Sequence, residues 1–298
     1  MKKRTRLLPY LYSAPFFFLI LAFSIFPFLL NIGMSFTDYS LKRTEWKWVG
    51  LKNYRTILSD PASWKAIRLT AVFIIGCVVL TMLLGMFYAV VMTFRVKGIT
   101  VMKAIILMPW IIPESVTAYV WKWLFSADSG LIYYILLKTG LIREGTSFFF
   151  DGNLAMLMVI LANVWRTAPF VAIMAYAKLS AVPDGHVEAA RIDGANAVQV
   201  FRYIKLPWMA PVLQRCAMLL FVWSFNSFTI IYILTNGGPA GATTTLPYLI
   251  RQAGFQTFQF SRAAALSVIS LLIILLCWLA AKLVFALVWK IRKGGAAR

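Results

Sequence analysis

The apolar positions of this chain are gathered into six long runs: Leu7–Phe36, Trp64–Phe94, Ala104–Phe125, Leu154–Ala177, Val212–Leu234 and Ala263–Trp289. A helix needs about 20 mainly apolar residues to cross the hydrocarbon of a bilayer, and each run has that length. Charges or turn formers bound them, among them Asp60-Pro61, Asp151-Gly152 and Asn236-Gly237-Gly238-Pro239. The pattern predicts an all-α integral membrane protein with six transmembrane helices. The second and sixth runs carry no proline and should be the straightest. Pro15 and Pro27 fall in the first run, Pro109 and Pro113 in the third, and Pro169 in the fourth. Each frees a backbone carbonyl, which is tolerated at membrane depth only where protein or a water-lined cavity satisfies it.

Composition agrees with this picture. Of 298 residues, 61% are hydrophobic and 13% charged, against about 45–50% and 25% in a soluble domain. A formal charge of +20 would suggest a nucleic-acid partner in a soluble chain. Here the basic residues sit between and beside apolar runs and form no aromatic-interleaved face, so that class is excluded. Their distribution sets an orientation. With the N-terminus inside, Met1–Arg6, Arg95–Lys103, Lys178–Arg215 and the tail from Lys282 are cytoplasmic and hold 17 basic residues, while the opposite loops hold 11 and six of the ten acids. Both termini are expected in the cytoplasm, although Lys42, Arg43 and Lys47 form an outside cluster against the trend. The opening Lys2-Lys3-Arg4 and its apolar run resemble a signal peptide, but the run is about twice the length of an h-region and ends at no small-residue cleavage site. It is expected to remain as the first span. Cys77, Cys216 and Cys277 fall in or beside spans, which implies small core residues and no disulfide framework.

Catalytic chemistry is scarce. The single histidine, His186, has no second His or Cys at ligand spacing, so no metal site is expected. There is no GxxxxGK[ST] loop, no GxSxG and no HExxH. Acids are nearly absent from the spans, leaving no evident proton relay or sodium site. An importer built from such a chain would have to draw its energy from another subunit.

The longest cytoplasmic loop, residues 182–211, reads VPDGHVEAARIDGANAVQVFRYIKLPWMAP from Val182. It predicts a short helix capped by Asp184, a bend at Gly194, and a second short helix stopped by Pro207 with Pro211. Val198, Phe201, Ile204 and Leu206 give the second helix apolar surface, while Arg191, Asp193, Arg202 and Lys205 supply charge.

Within this loop, Glu188-Ala189-Ala190, Gly194, Ile204 and Leu206-Pro207 fall at the spacing of the EAA loop, and the chain resembles ABC-importer permeases there. Further segments resemble the sugar-permease branch of maltose and glycerol-3-phosphate type: Trp48-Val49-Gly50-Leu51-Lys52-Asn53-Tyr54, Met108-Pro109 with Pro113, Asn163-Val164-Trp165-Arg166 with Pro169-Phe170, and Leu234 to Pro239. The resemblance covers nearly the whole chain. It implies one transmembrane permease domain over residues 1–298, of the type I ABC importer fold, with a cytoplasmic coupling helix. Glu188, Ala189, Ala190, Arg191, Asp193, Gly194, Ile204, Leu206 and Pro207 would then form the ATPase-coupling element. Glu188 would make a charged contact, and Ala189, Ala190 and Gly194 would let two backbones approach. Read without the family, Glu188 supports only an i,i+3 pair with Arg191.

A polar layer at mid-depth needs no family. The third span has its midpoint near Glu114, the fourth near Arg166 and the fifth near Trp223-Ser224. A charge at the bilayer centre costs at least about 2.5–3.5 kcal/mol, so it should face protein or water. Transporters place substrate sites at this depth, beside broken helices. The resemblance to the maltose-type permease implies substrate contacts at Asn163, Arg166, Thr167, Phe170, Leu220, Trp223, Ser224 and Ser227. Arg166 stands where that permease has an apolar residue, and two serines stand where it has asparagines. Arg166 has two readings: a structural bridge to Glu114, or a contact to an acidic or phosphorylated sugar. Phe170 and Trp223 also have a plain reading as helix packing. Trp46, Trp48 and Trp64 suit the outer interface and Trp289 the inner one.

The expectation is a non-catalytic permease subunit of an importer for a carbohydrate, an oligosaccharide that can be acidic. Its partners would be a second, similar permease, two ATP-binding subunits carrying ATP and Mg, and an extracytoplasmic solute-binding protein. The alternative is an energy-independent secondary transporter or channel acting alone.

Overall fold

The computed structural model describes the chain at residues 12–40, 46–94 and 96–295. Met1–Arg6, the start of the first run at Leu7, Lys42, Arg43, Arg95 and Arg298 lie outside the described residues, as does the side chain of Trp289. Regular structure among the described residues is helical, with an isolated antiparallel bridge between Thr37 and Trp48. In chain order the helices are α1 (Tyr12–Met34), α2 (Lys52–Ser59), α3 (Pro61–Val91), α4 (Ile99–Ile111), α5 (Glu114–Leu124), α6 (Leu131–Lys138), α7 (Gly152–Leu179), α8 (Asp184–Ile192), α9 (Ala197–Asn226), α10 (Thr229–Leu234), α11 (Leu246–Arg251) and α12 (Phe260–Gly295). Five are long and apolar enough to cross a membrane, and α4 with α5 makes a sixth span if the bent pair is taken together.

That bend corrects the sequence reading. The third run is two half-helices meeting at 105°. Pro113 excludes Ile112 from helical geometry and holds it extended, at φ −73°, ψ 129°. Glu114 is therefore the first residue of a new helix, directly after the break inside that bent pair. The fifth run also differs. Pro207 and Pro211 stop nothing: α9 passes through both from Ala197 to Asn226. A π-turn at Phe201–Lys205 precedes Pro207, with the Leu206 N–H bonded to the Phe201 carbonyl. The widened turn absorbs the donor that proline lacks. The same device recurs in α1, where a π-turn at Leu21–Ile25 stands at the same offset before Pro27. Likewise α7 runs unbroken through Pro169, which leaves the Trp165 carbonyl without its helical donor.

The chain divides into two compact units, Met1–Trp64 with Leu249–Arg298, and Lys65–Tyr248. In the first, α12 packs against the second half of α1 and against α2. Here the Trp48–Tyr54 signature acquires a physical reason. Gly50 takes φ +58°, the Asn53 amide donates to the carbonyls of Ser35 and Thr37 at 2.8 and 2.7 Å, and Tyr54 Oη lies 2.6 Å from Ser35 Oγ. An ion pair between Arg262 and Asp60 at 2.6 Å ties α12 to the turn before α3.

In the second unit, α7 is the buried centre. Asp151 caps it, accepting from the N–H groups of Asn153 and Leu154 at 2.9 and 2.8 Å. One core joins α3, α7 and α9 through Ala89, Val171, Ala175, Leu179, Met209, Leu213, Cys216 and Leu220. Small residues permit the close approach: a Cβ on Gly85 would lie 2.5 Å from Val171 Cβ and 2.9 Å from the Ala168 carbonyl. A second cluster of Phe125, Tyr133, Phe148 and Met158 secures α6 beside α5 and α7. Cys77 and Cys216 are buried, as expected, but Cys277 is exposed.

Candidate functional site

The flagged mid-depth residues separate into three neighbouring groups within the second unit. The first is charged. Glu114 Oε1 accepts from Ser227 Oγ at 2.6 Å and from the backbone N–H of Ile230 at 3.2 Å. Its other oxygen lies 3.9 Å from Arg166 Nη2. A charge-assisted N–H···O bond is about 2.7–2.9 Å, so the structural bridge expected of Arg166 is loose. Glu114 serves first as a cap for α10. Arg166 in turn reaches Asn163 Oδ1 only at 3.4 Å, and its Nε is buried without an acceptor among the described residues.

The second group is aromatic. Trp110, at the end of α4, stacks on Phe170 with centroids 5.3 Å apart and a 24° interplanar angle. It lies 5.5 Å from Trp223, and Phe170 meets Trp223 edge-on at 4.8 Å. Phe170 is one helical turn beyond Arg166 on α7, so the ring cluster and the guanidinium share a face. Sequence reasoning passed over Trp110; the signal was its place beside Pro109, just before the break at Pro113.

The third group is closed in this conformation. Asn163 and Thr167 are buried, and so are Ser224, Ser227 and Leu220. Thr167 Oγ1 donates to the Asn163 carbonyl at 2.7 Å and pairs with Thr81 Oγ1 at 3.1 Å. Leu220 belongs to the α3/α7/α9 core. A pocket of about 440 Å³ lined by Trp123, Asp128, Tyr133 and Tyr134, among others, contains none of these residues.

The cytoplasmic loop forms two helices about a glycine, as read, with one correction. Pro183 occupies the N-cap of α8, and Asp184, as the first helical residue, makes no capping bond; its charge still complements the helix dipole. Gly194 takes φ +81°. Asn196 and Gln199 build a capping box at the start of α9 that the sequence reading did not name. No residue of α8 is buried. Glu188, Ala189, Arg191, Asp193, Gly194 and Pro207 are exposed, while Ala190, Ile204 and Leu206 are half-buried. Ile192, at 87% exposure, and Val198, at 73%, leave apolar surface uncovered. Phe201 and Leu206 instead pack on the α3/α7/α9 core.

Comparison with known proteins accords with this geometry. The family model for the inner membrane component of binding-protein-dependent transport systems matches residues 81–292. A trehalose/maltose transport system permease protein of Thermococcus litoralis is 34% identical over 249 residues, covering 84% of each chain. An sn-glycerol-3-phosphate transport system permease protein of Agrobacterium fabrum is 30% identical over 271 residues, covering 91% of this chain and 92% of that one. In three dimensions the fold is similar to a chain of a bacterial ABC transporter involved in import of the acidic polysaccharide alginate, with TM-score 0.76, 22% identity, and coverage of 94% and 97%. The chain belongs to the family of binding-protein-dependent transport system inner membrane components, and it is a multi-pass permease subunit of an ABC importer.

Proposed function

We propose that this permease carries a carbohydrate, delivered by an extracytoplasmic binding protein, past the layer formed by Trp110, Phe170, Trp223 and Arg166. The observation that carries the reading is that ring cluster beside a guanidinium with unmet donors. Aromatic faces suit the apolar C–H surfaces of a sugar ring. Asn163, Thr167, Ser224 and Ser227 suit its hydroxyls once helix movement opens the layer. Arg166, with a loose bridge and a bare Nε, favours an acidic or phosphorylated sugar. The curated relatives and the structural neighbour are named for neutral and anionic substrates alike.

The chain contributes no catalysis in this reading. ATP and Mg belong to two partner ATPase subunits, which dock on the element from Glu188 to Pro207. The exposure of α8 and its uncovered Ile192 support that assignment. A second permease completes the pathway, and both termini lie in the cytoplasm. Closure of the ATPase dimer moves α8, the permease pair opens outward around the mid-depth layer, and hydrolysis resets it.

Reconstitution tests this. The chain with its partner permease, ATPase subunits and binding protein should take up labelled oligosaccharide only with ATP. Substrate flux through this chain alone in liposomes would establish the secondary-transporter reading instead.

A further inference from the structure

The indole of Trp208 joins three pieces of chain. Lys178, near the end of α7, sets its Nζ 5.0 Å from the ring centroid. His186, in the first turn of α8, meets the ring edge-on with centroids 6.3 Å apart and planes at 81°. Trp208 itself belongs to α9, directly after Pro207. Its Nε1 is buried and has no acceptor among the described residues.

This junction matters because packing does not orient α8. None of its residues is buried. Its C-terminal end is fixed by the chain itself: the Ala195 N–H bonds to the Ala190 carbonyl at 2.9 Å and the Gly194 N–H to the Arg191 carbonyl at 3.0 Å, the Schellman pattern. Two residues beyond Gly194 the capping box starts α9, which runs unbroken to Asn226. Trp208 and Trp223 are therefore on one rod, about 22 Å apart at 1.5 Å per residue. The N-terminal end of α8 follows Pro183 and would swing about the Gly194 turn if nothing held it. His186 sits at that end, and Trp208 is the ring it touches. A helix held at one end bends its joint when pushed, whereas one held at both ends turns what it is attached to.

We propose that Trp208 is the positioning residue that locks α8 to α9, so that force applied to α8 rotates α9 and reaches the mid-depth layer. The proposal rests on α8 being the ATPase contact. Lys178 extends the lock to α7, whose Val171, Ala175 and Leu179 belong to the core shared with α3. Trp208 touches neither substrate nor nucleotide in this scheme; it acts through His186 and the rod.

The test uses the whole importer in liposomes, reading ATPase retention, basal hydrolysis, hydrolysis stimulated by loaded binding protein, and uptake. Trp208→Ala should keep the ATPase subunits bound and basal hydrolysis within about twofold, while stimulated hydrolysis and uptake fall roughly tenfold, a typical coupling effect. His186→Ala should reproduce the loss, and because His186 is exposed its substitution does not threaten folding. Trp208→Phe and His186→Phe, which keep a ring on each side, should restore coupling. Unchanged uptake in both Ala variants overturns the proposal, as does a Phe variant as impaired as its Ala counterpart, or loss of the ATPase subunits. If the wild-type chain retains no ATPase, the docking assignment itself fails, and that result is visible before any variant is made.

Discussion

Glu114 and Ile230 meet directly after the break in the third span: a carboxylate at the head of α5 accepts the backbone N–H in the first turn of α10 at 3.2 Å. From the tail of the same α5, Lys122 Nζ donates to the Ile233 carbonyl at 3.1 Å. One helix thus presents an acid to the positive end of its neighbour and a base to the negative end. A six-residue helix such as α10 has no stability of its own in water, and α5 supplies both of its caps. The bend at Pro113 is what points Glu114 toward the start of α10.

Removing that cap should cost stability more than removing its charge. Hydrogen bonds to charged groups contribute about 1.5–3 kcal/mol, and the value here is at the lower end because Glu114 is partly exposed. Glu114→Ala is expected to destabilise the assembled permease by about 2 kcal/mol. Glu114→Gln keeps an acceptor for Ser227 and Ile230 and should cost under about 1 kcal/mol. Thermal unfolding in detergent measures both, and equal melting temperatures for wild type and the Ala variant would remove the capping role.

Arg166 separates the two roles given to it by which variant fails. Arg166→Ala should lower uptake of an anionic sugar by about 1.4 kcal/mol or more, at least tenfold, with assembly and ATPase retention intact. If Glu114→Gln alone gives the same loss together with misfolded protein, the pair is a structural bridge and Arg166 does not meet substrate.

Trp110 should matter as much as the two aromatic residues that the sequence singled out. Its contacts to Phe170 and Trp223 are each in the range of about 0.5–1.5 kcal/mol. Trp110→Ala is expected to raise the sugar concentration for half-maximal uptake several-fold while the maximal rate changes less. An unchanged concentration dependence would leave the cluster as packing only.

Close approach of α3 and α7 makes Gly85 intolerant of any side chain. Gly85→Ala puts a carbon 2.5 Å from Val171 Cβ, and overpacking of this kind costs about 1–3 kcal/mol. Gly33→Ala, which would meet nothing within 4 Å, should be neutral or slightly stabilising. A Gly85 variant that melts with the wild type would show that the two helices can part without penalty.

Glu188 is exposed and free of packing duties, so Glu188→Lys should leave folding unchanged. The expected effect is loss of ATPase subunits on purification. Retention of the ATPase at wild-type stoichiometry would send the docking role elsewhere on the loop.

How much was legible differs from residue to residue for physical reasons. Span number and the helix–glycine–helix loop were readable because burial in hydrocarbon demands long apolar runs and because Gly194 needs a positive φ. Pro113 was visible, but the 105° turn was not, since whether a proline kinks, breaks or is absorbed depends on its neighbours. Pro207 and Pro27 follow π-turns and Pro169 is carried inside α7, whereas Pro113 breaks its helix. Asp184 looked like a cap because its residue type is right, yet Pro183 holds that position.

What the sequence determined alone was the solvent: a chain this apolar, with its basic residues gathered between and beside long apolar runs, belongs in a bilayer. Tertiary structure decided which polar atoms are committed to one another. Glu114 capping α10, Thr167 closed onto Thr81, and Trp208 set between Lys178 and His186 all join residues far apart along the chain. No periodicity records such pairs, because they exist only once helix directions and distances are fixed.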